Sequence, residues 1–160
     1  LALACVKEYN LPIVIGRFFN VVGPRQTGTY GMVLPRFVQA ALAGEPLQVH
    51  DDGKQIRCFS HVYDVTQAIT KLMETQDAFG KVINIGSDNP ISILDLAKRV
   101  IEICGSTSNI EFQTYTEAYD ESFEDIRRRV PDLTRIRNMI GDPNKHDIDQ
   151  IINDVRDSLT

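Results

Sequence analysis

With 160 residues, 42% of them hydrophobic, the chain has the material for one ordinary globular domain and shows no compositional sign of disorder, collagen or coiled coil. Its net charge of −5, with no basic stripe interleaved with aromatics, argues against nucleic acid as a partner. No apolar run approaches the roughly 18 residues that cross a bilayer, and no leader-like run opens the sequence, so no membrane partner and a cytoplasmic location are expected.

Leu1, Ala2, Ala4, Cys5 and Val6 read as helix interior with no capping residue before them, and the helix closes at Asn10. The chain is therefore expected to be the carboxyl-terminal part of a longer protein. Leu11 to Ile15 offers no polar side chain and predicts a buried strand of a parallel sheet. Periodicity alone also allows a buried helix segment; Pro12 and the Gly23-Pro24 pair favour the strand. In open α/β sheets ligands sit outside the carboxyl ends of the strands. Asn20, flanked by Phe18, Phe19, Val21 and Val22, is then a polar side chain in apolar surroundings at such a place, or else a turn residue bonding its own backbone.

Arg25 to Gly31 is a glycine-rich loop whose backbone could approach a ligand closely. From Met32 a helix is predicted, with Val33, Leu34, Phe37, Val38, Ala41 and Leu42 on one buried face and Gly44 then Pro46 as its stop. Leu47 to His50 is a short strand, Asp51-Asp52-Gly53 a turn, and Lys54 to Val62 a strand returning from it, with Arg57, Phe59 and His61 on one face. Tyr63-Asp64 opens a helix with Val65, Ala68, Ile69 and Leu72 inside, and Asp64 serves as its cap or first-turn acid.

Val82 to Ile85 predicts a strand ending at Gly86. Ser92 and Asp95 have capping-box spacing before a helix that buries Leu96, Val100, Ile101 and Cys104 and stops at Gly105. A strand over Ile110 to Tyr115, an exposed acidic loop over 116–125 and the run Arg127-Arg128-Arg129-Val130-Pro131-Asp132 follow. Two helices close the chain: Leu133 to Ile140, and Ile148 to Leu159 opened by Asp147 with Gln150 three residues on. Cys5, Cys58 and Cys104 are odd in number, far apart and set among apolar neighbours, which predicts reduced, buried thiols.

Motifs of catalysis are missing. There is no GxxxxGK(S/T) or GxGxxG loop, no HExxH and no CxxC, and no Ser/His spacing that pairs a nucleophile with a base. The material on offer suits anions: the glycine loop, Arg25, Arg57 and Arg127 to Arg129. A guanidinium grips phosphate in bidentate fashion, though any one of these arginines could equally be solvated or paired with a carboxylate. His50, at a strand end, could stack on a base or face water.

RFFNVVGPRQ together with LPRFVQAALAGEPLQVHDDGKQIRCFSHVYDVTQAI closely resembles the NAD-dependent nucleotide-sugar epimerases and dehydratases of the extended short-chain dehydrogenase/reductase group. The likeness runs over nearly all of the chain, and Arg17 to Gln26 combined with Leu47 to Asp64 makes it specific. It implies an α/β fold: the carboxyl-terminal part of a Rossmann-like doubly wound sheet plus a small α/β substrate-binding domain. Residues 1–30 would end the NAD-binding domain, and 31–160 would mainly bind the nucleotide sugar, with 54–90 returning in part to the sheet.

By the same resemblance Asn20 bonds the substrate diphosphate and Arg57 clamps it, Phe18 and Phe19 lie near the nicotinamide, and Met32 and Val33 enter the helix beside the nucleoside. Gln48 and His50 match the uracil pair, with His50 where relatives often carry Tyr or Phe. A further phosphate-binding arginine of the family falls where this chain reads Glu121-Ser122-Phe123-Glu124-Asp125, so it is either missing or replaced by Arg129. No catalytic residue is expected within the chain. The family's NAD-binding glycine loop and its Tyr-x-x-x-Lys lie upstream of the residues matched here, and its members form homodimers through the helix that Leu1 to Tyr9 would end. The implied activity of the parent protein is NAD-dependent epimerisation at C4 of a UDP-hexose. The alternatives are decarboxylation of UDP-glucuronate, a 4,6-dehydratase reaction, or nucleotide-sugar binding without catalysis.

Overall fold

The computed structural model describes residues 1–28, 32–114 and 126–160. Among the described residues three strand pairs are parallel: β1 (Ile15–Phe18) with β6 (Val82–Ile85), β2 (Val21–Val22) with β5 (Ser60–His61), and β3 (Leu47–His50) with β8 (Ile110–Gln113). One pair, β4 (Ile56–Cys58) with β7 (Pro90–Ser92), is antiparallel. Around them lie α1 (Ala2–Tyr9), α2 (Val33–Ala43), α3 (Val62–Glu74), α4 (Ile93–Cys104), α5 (Thr134–Ile140) and α6 (Ile148–Asp157). This is the α/β, Rossmann-like class that the sequence implies.

Two apolar cores hold these elements. One gathers Leu34, Phe37, Val38 and Ala41 of α2, Leu47 and Val49 of β3, Leu96 and Val100 of α4, and Ile151, Ile152 and Val155 of α6. The other packs Val65, Ala68 and Leu72 of α3 and Leu133 and Ile136 around α5 against Ile83 and Ile85 of β6. The helix ends follow their residues. Gly44 adopts φ 70°, and Glu45 N–H reaches back to the Ala40 carbonyl at 2.9 Å, closing α2 as its glycine predicts. Asp147 and Gln150 cap α6 reciprocally. Ser92 accepts from Asp95 N–H at 3.0 Å and donates to that residue's carboxylate at 2.6 Å.

Several expectations are corrected. The first strand runs over Ile15–Phe18, not Leu11 to Ile15: Pro12 has no N–H to give a ladder, Ile13 N–H turns back to the Leu11 carbonyl, and Leu11 is exposed. Leu42 lies outside the buried face of α2 and is exposed. Only Cys58 of the three free thiols is buried, and its thiol is pushed up to about 11, chiefly by burial; Cys5 and Cys104 are half-exposed. The last strand ends at Gln113 rather than Tyr115; that tyrosine and the acidic loop lie outside the described residues.

The larger correction concerns Lys54 to Val62, which is neither one strand nor the return arm of a hairpin. After the Asp51–Gly53 turn, Ile93 N–H takes the Gln55 carbonyl at 3.1 Å and Leu94 N–H takes that of Gly53 at 2.9 Å, so the chain pairs with the segment ahead of α4. The ladder breaks at Phe59 because Asn20 inserts there. Its Nδ2 donates to the Cys58 carbonyl at 2.8 Å, and its own carbonyl accepts from Ser60 N–H at 3.1 Å. Alternation is lost with the ladder, so Arg57, Phe59 and His61 do not share a face: Phe59 enters the first core, and His61 is buried elsewhere.

Candidate functional site

The carboxyl end of β1 is where the chain's candidate residues meet. Phe19 N–H bonds the Ile85 carbonyl at 3.1 Å, placing it beside the end of β6, where Gly86 follows. A Cβ on Gly86 would stand 2.8 Å from the Phe19 Cβ, so only glycine lets the two strand ends approach this closely. Asn20 comes next, with φ 39°, a left-handed value that asparagine tolerates better than most residues. The two hydrogen bonds that tie it to Cys58 and Ser60 hold it in that conformation. Its side chain therefore bonds a distant strand, not its own turn.

The arginine run reaches the same place along the free edge of β4. Ile56 N–H donates to the Arg127 carbonyl at 2.8 Å, and Arg129 N–H donates to the Ile56 carbonyl at 3.1 Å, forming a parallel bridge. Arg57 Nη1 donates to the carbonyls of Ile56, at 2.9 Å, and Ile126, at 2.7 Å, which orients its guanidinium toward the run. The Arg129 guanidinium lies over the Phe19 ring, 5.3 Å from its centroid. Arg129 thus meets Phe19 directly, and Asn20 and Arg57 join the same neighbourhood through the backbone of Ile56–Cys58.

Of the remaining sequence-derived candidates, Phe18 ends β1 beside Phe19 and the others lie elsewhere. Phe18 exposes about half its ring at the strand end. Gln48 and His50 share the outer face of β3, opposite the buried Leu47 and Val49. Gln48 Nε2 donates to Glu111 on β8 at 2.8 Å, and the His50 carbonyl accepts from Gln55 Nε2 at 3.0 Å. Met32 is the exposed residue that precedes α2, and Val33 packs on the first core.

Two clusters were not read from the sequence. His61 is fully buried at the amino end of α3, where its Nδ1 accepts from Tyr63 N–H at 3.1 Å. Nε2 then carries the proton, 3.1 Å from Asp154 Oδ2 but out of hydrogen-bond alignment. The ring stacks on His146 at 4.3 Å, and His146 Nδ1 meets Asp64 Oδ1 at 2.8 Å. Asp64 Oδ2 accepts from the N–H groups of Lys145 and His146 at 2.9 and 3.0 Å. Burial, then the neighbouring His146, hold the His61 pKa below its ordinary value. Burial alone would raise that of Asp64, but the two backbone donors and the imidazole overcome it, and the carboxyl stays below the usual range.

In the second cluster Arg127 donates to Asp52 Oδ1 at 2.7 Å and to Asp51 Oδ2 at 3.3 Å. The spacing of His61 and Asp64, a cap and a first-turn acid on one helix, was a usable signal for the first cluster. Nothing local marks the second, whose members lie about 75 residues apart.

The sequence model of the NAD dependent epimerase/dehydratase family matches residues 1–86, more than half of the chain. The chain belongs to that family. Among curated relatives, the UDP-N-acetyl-alpha-D-glucosaminuronate decarboxylase of Bacillus cytotoxicus is 41% identical over 131 residues, covering 81% of this chain and 40% of its own length. UDP-glucuronic acid decarboxylase 2 of Arabidopsis thaliana is 37% identical over 132 residues, covering 82% and 28%. The chain therefore spans less than half the length of the curated relatives it matches. Among solved structures, the UDP-glucuronic acid 4-epimerase of Bacillus cereus in complex with UDP-glucuronic acid and NAD superposes with a TM-score of 0.83 at 25% identity, over 98% of this chain and 48% of that one. For the UDP-glucose 4-epimerase of Thermotoga maritima with UDP-glucose the TM-score is 0.84 at 26% identity, over 96% and 48%. Within this NAD-dependent family, the site at the end of β1 lies where doubly wound sheets bind their ligands.

Proposed function

We propose that the full-length protein is an NAD-dependent enzyme of UDP-sugars, and that its substrate is a UDP-hexuronic acid which it decarboxylates. The observation that carries the UDP-sugar reading is the joining of Asn20, Arg57 and Arg129 through the backbone of Ile56–Cys58, with Arg129 over Phe19. The acidic sugar rests on the relatives: both decarboxylases and the Bacillus cereus epimerase carry a uronic acid in their names. A second reading, epimerisation at C4, is favoured by the epimerases among the structural neighbours.

In this reading Asn20 supplies an amide to the diphosphate. Arg57, its plane set by two backbone carbonyls, clamps the phosphates, and Arg129, steadied on Phe19, adds a second cation. Gln48 and His50 take the uracil, with Met32 and Val33 beside the nucleoside. The residues fit the nicotinamide end of NAD to the extent that the half-exposed Phe18 ring offers it apolar surface. When bound, NAD supplies hydride acceptance and return. The chain's own residues hold the diphosphate so that the sugar reaches the reacting position, and the protein is expected to act as a homodimer.

Incubating the full-length protein with NAD and UDP-glucuronate or UDP-N-acetylglucosaminuronate tests this. Mass spectrometry is expected to find a product lacking carbon dioxide. A C4 epimer of unchanged mass selects the second reading, and recovery of unaltered substrate refutes both. Absence of Tyr-x-x-x-Lys upstream of Leu1 would instead favour binding without catalysis.

A further inference from the structure

Arg127 is the member of the arginine run whose side chain reaches the turn after β3. Its two nitrogens grip Asp52, at 2.7 Å, and Asp51, at 3.3 Å, on the turn that follows β3. Its backbone carbonyl holds Ile56, and the same residue's carbonyl receives Arg129 N–H. The turn itself is defined: Asp51 adopts φ 54°, Gly53 N–H closes on the His50 carbonyl at 3.3 Å, and Asp52 Oδ1 also accepts from Lys54 N–H at 3.0 Å. Lys54 N–H, then the Arg127 guanidinium acting against a burial cost, keep the Asp52 carboxyl ionised below its ordinary range.

We propose that Arg127 is a positioning residue that, by holding Asp51 and Asp52, locks the arginine run in register on Ile56 and so aims Arg57 and Arg129 at the substrate phosphates. The run reaches Ile56 by only two backbone hydrogen bonds, and an isolated bridge of that kind can slip. The carboxylates fix it from the side. They also join the strand that carries Gln48 and His50 to the segment that carries Arg129, so the two ends of an extended nucleotide ligand would be set by one contact. The inference rests on the UDP-sugar reading of the site.

Its test is the binding of UDP to the full-length protein by calorimetry, with kcat and KM for the UDP-sugar alongside. Arg127→Ala should weaken UDP binding about three- to tenfold and raise KM with kcat within about twofold, and Arg127→Lys, which keeps the charge but not the grip on both carboxylates, should recover only part of the loss. The deciding variant is Asp51→Asn with Asp52→Asn, in which asparagine keeps both the left-handed turn and the acceptor for Lys54. Removing two negative charges near an anion site should tighten binding if only long-range electrostatics act. Positioning predicts the opposite, a weakening of about threefold that is not additive with Arg127→Ala. Unchanged or tighter binding in the asparagine variant, or additive losses, overturns the inference while the UDP-sugar reading stands. A wild-type protein that binds no UDP removes the reading and the inference together.

Discussion

Asp64 is buried, with 4% of its surface exposed, and accepts three hydrogen bonds from the segment that leads into α6: two backbone N–H groups and the imidazole of His146. Hydrogen bonds to a charged group contribute about 1.5–3 kcal/mol each, with losses that overlap when one residue makes several. Asp64→Ala removes the acceptor shared by two backbone N–H donors and the His146 imidazole, so we expect a loss of about 3–5 kcal/mol. In a protein of 150–250 residues each kcal/mol lowers Tm by about 2–4 °C, and the larger full-length protein should lie at the low end. Asp64→Asn keeps one oxygen acceptor and should cost about half as much. Thermal melting followed by circular dichroism measures both variants, and amide exchange at Lys145 and His146 reports the local release. A loss under about 1 kcal/mol for Asp64→Ala, with those two amides still protected, would falsify the assignment of Asp64 as the anchor of this segment.

Acidification acts on the neighbouring ring. His61 has a folded pKa below its unfolded value of about 6.5, so the unfolded state binds more protons; stability should be full above pH 6.5 and fall as pH drops through it, which melting between pH 5 and 8 will show. Stability that is flat or rising toward pH 5 would contradict a buried neutral imidazole. Gly86→Ala should push Phe19 and weaken UDP binding in the full-length protein more than it lowers Tm, because the clash at 2.8 Å lies at the site itself. Arg57→Lys should weaken UDP-sugar binding roughly tenfold, since lysine cannot keep the planar fork that two carbonyls orient; unchanged affinity would mark Arg57 as a surface residue.

Most elements were legible wherever one local rule decided them. The three-four spacing from Val33 to Ala41 with Gly44 behind it marked α2, and the Asp147–Gln150 pair marked the start of α6. What failed were questions of partnership. The turn at Asp51–Gly53 looks like the bend of a hairpin, yet β3 takes β8 as its neighbour and β4 takes β7, each far along the chain. Sequence alternation from Lys54 to Val62 was real as a pattern, but an asparagine from another segment cut the ladder at Phe59. For the site, the residue types at Asn20, Arg57 and Arg129 could be picked out, whereas the bridge through Ile56 that draws them together exists only in three dimensions.

The backbone weaves between the two cores: Val21 belongs to one and Val22 to the other, and the chain then alternates through α2, α3, α4, α5 and α6. Such stitching means that a protease cutting any single crossover would leave both halves still sewn together by the rest. Pulling the two cores fully apart would then require every seam to give at once.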